Sequence, residues 1–137
     1  MESKQVLEEA VRSVNDLEGF ACQIGVGKGN GSLRILGELS KEKLLVLIDP
    51  FGEHQYRTIQ DGMPVDETAY GTRESYSTLA SLYSMVSSGT WPYFLYYPME
   101  DIEFYEHFQT GIFFYNNGEK SRLNEYCFVH FNAHKNV

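Results

Sequence analysis

The stretch Phe20–Gly52, FACQIGVGKGNGSLRILGELSKEKLLVLIDPFG, decides the fold of this chain. It begins with an apolar run, Phe20–Ile24, continues through a loop with glycines at alternate positions, and reaches a second apolar run, Leu44–Ile48. Between the loop and the second run, leucines recur at helical spacing. Because the second run has almost no polar alternation, it is typical of a strand buried on both faces of a parallel sheet. The stretch therefore predicts a strand, a helix and a second, parallel strand.

The rest of the sequence continues this alternation of helices and strands, without an internal repeat. Helices are predicted over residues 3–17, 32–41, 72–88 and 101–108, and two further core strands over 93–97 and 126–131. The polar residues 52–71 are predicted to form a long loop, and residues 112–115 a short extended segment before a turn at Asn117-Gly118. The pattern predicts a single α/β domain over residues 1–137, with a Rossmann-like parallel sheet of about four core strands and flanking helices.

Length, composition and charge limit the kinds of function to consider. A chain of 137 residues with 42% hydrophobic and 22% charged residues has the composition of one globular domain. The net charge of −8 argues against a nucleic-acid partner, because such affinity comes largely from lysines and arginines that neutralise phosphates. No segment has the roughly 20 apolar residues of a membrane span, and the first residues do not have the pattern of a signal peptide. We therefore expect a cytoplasmic protein with no membrane or nucleic-acid partner.

The spacing of the glycines indicates which ligands the loop favours. Alternate glycines at Gly25, Gly27, Gly29 and Gly31 let the backbone turn sharply and let a ligand approach the peptide planes. A phosphate-binding P-loop needs Gly-Lys followed by Ser or Thr, but here Gly29 follows the lysine. The dinucleotide pattern G-x-G-x-x-G also fails, since neither Gly25 nor Gly27 begins a match.

An acid at the end of the second strand, Asp49, is placed where ribose hydroxyls lie in folds of this kind. With the glycine loop, it favours a neutral or zwitterionic nucleoside over a pyrophosphate. An alternative is that the glycines only make a tight strand-to-helix turn.

Two segments of the sequence resemble a known enzyme family. QIGVGKGNGS followed by VLIDPFG resembles the first motif and the following acidic motif of class I S-adenosylmethionine-dependent methyltransferases, in particular the TylF-like (macrocin O-methyltransferase) branch. The later NEYCFVHFNAH is similar to that branch's fourth strand, so the resemblance spans about Phe20–His134. It implies an S-adenosylmethionine cofactor and a small-molecule methyl acceptor. We assign no catalytic residue and expect no metal. The cofactor contacts that it implies are Gln23, Gly25, Gly27, Gly29, Ser32, Asp49 and Asp101.

The resemblance assigns a role to some of these positions. Gly25, Gly27 and Gly29 would line the methionine and ribose part of the cofactor, and Asp49 would accept hydrogen bonds from the ribose hydroxyls. Asp101 would lie near the adenine. The chain departs from the family at Gln23, where an acid is common. It also departs at Asn132, which stands in place of an Asp and, unlike Asp, cannot carry charge or take up a proton.

The family fold continues beyond a fourth strand, and that continuation shapes the acceptor pocket. We therefore expect this chain to correspond to the N-terminal half of the fold, with the fourth strand at an exposed edge that a homo-oligomer or another protein covers. An aromatic content of 15% supports an interface. Two functions remain open: a methyltransferase acting on a small molecule, or a non-catalytic assembly module derived from one.

Other candidate groups have simpler explanations. Cys22 and Cys127 lie in apolar runs and match no zinc template, so we expect inert thiols. His130 lies inside the fourth strand and is expected to be a hydrogen-bonded structural histidine. The acids between Glu100 and Glu106 are expected to form a solvated face near a helix N-terminus.

Overall fold

The computed structural model describes residues 3–50, 55–68, 72–87, 92–116 and 118–132. The helices are α1 Ser3–Val14, α2 Asn30–Glu38, α3 Thr72–Val86 and α4 Asp101–His107. The strands are β1 Phe20–Ile24, β2 Leu44–Ile48, β3 Gln55–Gln60, β4 Met63–Thr68, β5 Tyr93–Tyr97, β6 Ile112–Asn116, β7 Glu119–Leu123 and β8 Tyr126–Phe131.

The central sheet is parallel and has the strand order β5-β2-β1-β8. Its four strands coincide with the four core strands predicted from the sequence. The predicted α/β fold with a Rossmann-like parallel sheet is therefore confirmed. The order also confirms that the fourth core strand, β8, lies beside β1 at an edge of the sheet. The chain moves from β1 to β2 and β5 on one side and returns to β8 on the other, so the sheet has its topological switch point between β1 and β8.

Each face of the sheet has its own hydrophobic core, because side chains alternate between the faces along a strand. One face packs against α1, α2 and α3, with residues such as Val11, Ile35 and Leu82 completely buried. The other face packs against α4 and the β6–β7 hairpin, through Phe104 and Ile112. The uninterrupted apolar sequence of β2 follows from this two-sided burial.

The prediction of a long loop over residues 52–71 is wrong for the part that the structure describes. Strands β3 and β4 pair in an antiparallel hairpin across Asp61-Gly62. Both turn residues have positive φ, 52° and 78°, which matches the right-handed twist of a hairpin and favours Asp-Gly. The sequence does contain the hairpin turn signal Asp61-Gly62, but the polar composition of the segment led to the prediction of a loop.

A second hairpin, β6–β7, replaces the short extended segment predicted before residue 118. The strand Glu119–Leu123 was missed because its sequence, EKSRL, is mainly polar. The turn residue Asn117 and His134 lie outside the described residues.

Several helix boundaries also differ from the predictions, including the end of α2 at Glu38 instead of about residue 41. Helix α1 ends at Val14 instead of residue 17, where the chain makes a turn with Leu17 N donating to Val14 O at 3.0 Å. Helix α2 begins at Asn30, two residues before the predicted start, because Gly29 adopts a left-handed conformation and acts as its N-cap.

Candidate functional site

The glycine loop, Gly25–Gly29, joins β1 to α2 at the carboxyl edge of the parallel sheet. Gly25, Gly27 and Gly29 have φ of 88°, 59° and 87°, a region that side chains with a Cβ rarely adopt. The loop therefore requires glycine at these three positions for the backbone path itself. Gly25 N donates to Ile48 O at 2.9 Å and Asn132 N donates to Ile24 O at 2.8 Å, so pairing continues past the strand ends.

Asp49, directly after β2, is held by the loop and by β5. Its carboxylate Oδ2 accepts hydrogen bonds from Val26 N at 2.8 Å and from Gly27 N at 3.1 Å. Its own backbone N–H donates to Tyr97 O at 3.3 Å, and its carbonyl accepts from the Tyr96 hydroxyl at 2.8 Å. Asp49, the acid predicted to accept ribose hydroxyls, is therefore held against the glycine loop.

The two amides that bind Asp49 come from consecutive residues next to left-handed glycines. Such successive N–H groups form a concavity that binds anions, and phosphate-binding loops use it for phosphate. Here the protein's own carboxylate occupies this concavity. A carboxylate has about four acceptor sites in all, which is why one side chain can bind more than one donor.

Helix α3 covers one side of the loop. The Thr78 hydroxyl donates to Gly27 O at 3.0 Å. A Cβ added to Gly29 would lie 3.0 Å from Thr78 Cγ2 and 3.9 Å from Leu82. Gly29 therefore serves the packing of α3 in addition to the turn. A role in the strand-to-helix turn is the alternative that the sequence left open for these glycines.

Gln23 is completely buried beneath the start of α2. Its Oε1 accepts a hydrogen bond from the Ser32 hydroxyl, and its Nε2 lies 3.3 Å from His130 Nδ1. Burial lowers the pKa of His130 below the ordinary histidine value. Gln23 and Ser32 are buried and His130 is half-buried. These three residues, which we call the buried relay, join β1, α2 and β8 at the switch point. His130 has an internal hydrogen-bond partner, as the sequence predicted.

Six of the seven predicted cofactor contacts lie at this one place: Gln23, Gly25, Gly27, Gly29, Ser32 and Asp49. The side chains of Gln23 and Ser32 are completely buried and hydrogen-bonded to each other. Asp101 is the first residue of α4, which follows β5 along the chain. Its Oδ1 accepts from Ile102 N at 2.9 Å and its side chain is exposed.

Three residues of the site carried no sequence signal that connected them with the loop. Thr78 on α3 donates to Gly27 O in the loop, Tyr96 on β5 donates to Asp49 O, and His130 on β8 contacts Gln23. Each contact joins residues between 47 and 107 positions apart, and such pairs depend on how the chain packs. Only the strand order indicates that β8 reaches the same place.

The described part of the chain contains further features that bear on function. A cavity of about 360 Å³ lies between α1 and α2, lined by Glu8, Asn30, Leu33, Arg34, Gly37 and Glu38. The described residues include no group of three or more His, Cys, Asp or Glu placed to hold a metal. None of the described helices has the length and apolar character needed to cross a membrane.

The two cysteines are free thiols. Burial raises the pKa of Cys22 to about 12, and burial also raises the pKa of the half-buried Cys127. Because the thiolate is the reactive form, both are poor nucleophiles at neutral pH.

Comparison with known proteins adds no assignment to this geometry. No protein-family model, no curated protein and no solved structure matches the chain. Its function is therefore argued from the glycine loop, Asp49 and the switch point of the sheet.

Proposed function

We propose that the chain binds S-adenosylmethionine at the glycine loop and is a methyltransferase-like protein that acts on a small-molecule acceptor. The observation that carries the proposal is Asp49, which lies at the carboxyl end of β2 and contacts the loop amides of Val26 and Gly27. In open α/β sheets, ligands bind outside the carboxyl ends of the strands near the switch point, and an acid at this position binds ribose hydroxyls. The resemblance of the loop and Asp49 segments to class I methyltransferases supports the choice of cofactor.

The occupied anion concavity favours a ligand without a phosphate group here. A phosphate on the Val26 and Gly27 amides would have to displace Asp49 and would meet its negative charge. Ribose hydroxyls, by contrast, are donors that a carboxylate accepts well. The site therefore suits an adenosyl group better than a nucleotide.

The chemistry requires little from the protein's side chains. The sulfonium of S-adenosylmethionine supplies an activated methyl group when it is bound. The protein's contribution is to align an acceptor oxygen or nitrogen with that group and to exclude water. No described residue is assigned as a base.

Calorimetric titration with S-adenosylmethionine and S-adenosylhomocysteine tests the proposal. We expect binding by the natural chain and its loss in Asp49→Ala, which removes both the ribose acceptor and the bonds to the loop. Asp49→Asn keeps an acceptor for the loop amides but loses the charge, so it should bind more weakly than the natural chain without losing its fold. Asp16→Ala, which removes an exposed acid at the end of α1, is the matched control.

Absence of binding heat with either ligand at millimolar concentration would overturn the proposal. Equal affinity in the natural chain and in Asp49→Ala would also overturn it, since the ligand would then bind elsewhere. Circular dichroism of each variant shows whether a loss of binding reflects a loss of fold.

A second candidate function, assembly through the β8 edge, is favoured by the exposure of that strand. Val129 and Phe131 are 52% and 51% exposed, although they pair with Cys22 and Ile24 on the face that α4 and the β6–β7 hairpin cover further along the sheet. On its outer side β8 has no pairing strand among the described residues.

The partner that we propose for this edge is a second copy of the chain, with the two β8 strands antiparallel. No Asp, Glu, Lys or Arg occurs between Tyr126 and Phe131, so two copies can meet there without opposing like charges. The other sheet edge, β5, suits this role less because Phe94 is buried and only Tyr93 is largely exposed.

A further inference from the structure

We propose that the buried relay of Ser32, Gln23 and His130 makes the glycine loop sensitive to pH, so that proton uptake by His130 weakens ligand binding. The inference concerns regulation of the site described above, and its ligand arm rests on the proposed function. It starts from the direction of the hydrogen bonds. Gln23 Nε2 can only donate, so His130 Nδ1, 3.3 Å away, must accept and the ring must carry its proton on Nε2.

Protonation of Nδ1 turns this acceptor into a donor. The Gln23 Nε2 donor would then face the Nδ1–H donor of His130, unless the Gln23 amide turns over and presents Oε1 as an acceptor. The two orientations of an amide fill the same volume, so the reversal needs no change in packing. Orientation of the Gln23 amide and protonation of His130 are therefore coupled.

The surroundings of Gln23 restrict it to this reversal. Its side chain is completely buried, and a Cβ built on Gly31 would lie 2.6 Å from Nε2 and 3.7 Å from His130 Cε1. The backbone of α2 thus rests directly on the amide. With no space for the side chain to move away, rotation about its terminal bond is the response that remains.

The reversal reaches the glycine loop through Ser32. At present the Ser32 hydroxyl donates to Gln23 Oε1. After the reversal Ser32 Oγ must accept from Gln23 Nε2, and its own proton needs a new acceptor. A helical serine finds one at the carbonyl three or four residues earlier, which here is Gly29 or Lys28 in the loop. The change thus alters the loop that the ligand would contact.

The other charged groups on the elements around the buried relay form other interactions or are exposed. Burial is the cause of the lowered pKa of His130. The described side chains of α3, residues 76–86, include no acid or base with a full charge at neutral pH. The charged groups on the remaining elements around the relay are the pairs Glu8–Arg34 and Arg12–Glu38, exposed Glu9 and Lys28, and Asp49 on the loop amides.

The direction of the pH effect follows from the lowered pKa. Because burial makes the folded chain favour neutral His130, the stability linked to this neutral ring is complete above the ordinary histidine pKa of 6.5. It is lost as the pH falls below that value toward the folded-state pKa. The free energy of unfolding in urea should therefore fall as the pH is lowered from about 7 to about 5. The fall should be smaller in His130→Gln.

Nuclear magnetic resonance of the whole chain tests the relay without a ligand. Between about pH 7.5 and about pH 5, we expect the His130 ring nitrogens, the Gln23 side-chain amide and the Ser32 backbone amide to shift with one common midpoint below 6.5. At neutral pH the ring should carry its proton on Nε2. In His130→Gln the Gln23 and Ser32 shifts should not respond to pH. His107→Gln, which removes an exposed histidine on α4, should leave them unchanged.

Calorimetry with S-adenosylhomocysteine tests the connection to ligand binding. We expect affinity to fall from about pH 7.5 to about pH 5.5 by at most about tenfold, which is the factor for one pH unit below the ordinary histidine value, and to be independent of pH in His130→Gln. Binding that is independent of pH in the natural chain overturns the regulation. Separate midpoints for His130 and Ser32 overturn the relay itself. If S-adenosylhomocysteine does not bind at any pH, the proposed function fails, while the common midpoint still decides whether the relay exists.

Discussion

At the scale of single residues, Gly19 is a position where both the backbone conformation and the surrounding space favour glycine. It precedes β1 with φ of 111°, and a Cβ built on it would lie 2.6 Å from Glu125 O and 3.1 Å from Cys127 N. Both contacts are with backbone at the start of β8, which cannot move without disturbing its pairing with β1. The side chain of alanine is therefore excluded by conformation and by space.

We expect Gly19→Ala to lower the free energy of unfolding by at least about 2 kcal/mol, since positive φ alone costs a residue with a Cβ about 1–2 kcal/mol. Gly62→Ala is the matched control, because Gly62 has φ of 78° but nothing within 4 Å of the added Cβ. It should cost about 1 kcal/mol. Urea unfolding followed by circular dichroism measures both. Equal losses in the two variants would contradict the packing at Gly19.

At the scale of elements, α2 contains two glycines with opposite roles. Gly37 is exposed in the last turn of the helix, where glycine has no structural advantage. Gly31 lies in the first turn, directly over the Gln23 amide. The same substitution should therefore have opposite effects at the two ends of one helix.

We expect Gly37→Ala to stabilise the chain by about 0.5–1 kcal/mol through helix propensity. Gly31→Ala should destabilise it by about 1–3 kcal/mol, because the new methyl group would displace a buried amide that is hydrogen-bonded at both ends. The measurement is the shift in urea midpoint of each variant against the natural chain. Stabilisation by Gly31→Ala would show that Gln23 is not held as described.

The hairpins show why element prediction succeeded for the central sheet and missed hairpin strands such as β4 and β7. The strands β1, β2, β5 and β8 are apolar, so their sequences alone mark them. The strands β4 and β7, MPVDET and EKSRL, contain many polar residues, and their pairing depends on a turn and on neighbouring strands. Their composition resembles that of loops, although Asp61-Gly62 is a strong hairpin signal.

At the scale of the whole molecule, the uneven cover of the sheet leads to a prediction about assembly. The face beneath α4 and the β6–β7 hairpin is buried as far as β1, but at β8 it is open. An open, uncharged edge strand attracts another strand. We therefore expect a dimer in solution by light scattering coupled to gel filtration.

Two substitutions in β8 should separate this dimer into monomers. Val129→Lys and Phe131→Lys place a charge at an exposed position and should not disturb the core. Ile102→Lys, at a 61% exposed position on α4, should leave the dimer intact. A natural chain that remains monomeric at submillimolar concentration, or a dimer that persists in both β8 variants, would contradict the assembly.

The sequence by itself determined the parallel sheet and its four core strands. These features depend on local hydrophobic runs and on glycine spacing, which a single stretch of chain records. It also indicated that β8 would be an edge strand, since the connections in an open α/β sheet follow few topologies.

Only the tertiary structure decided what the site residues do. It showed that the carboxylate of Asp49 fills the anion concavity, that α3 closes one side of the loop, and that Gln23 is committed to Ser32 and His130. Each of these facts is a contact between segments far apart in the chain. The free energy of such contacts comes from the joint packing of several elements, which no local pattern of residues records.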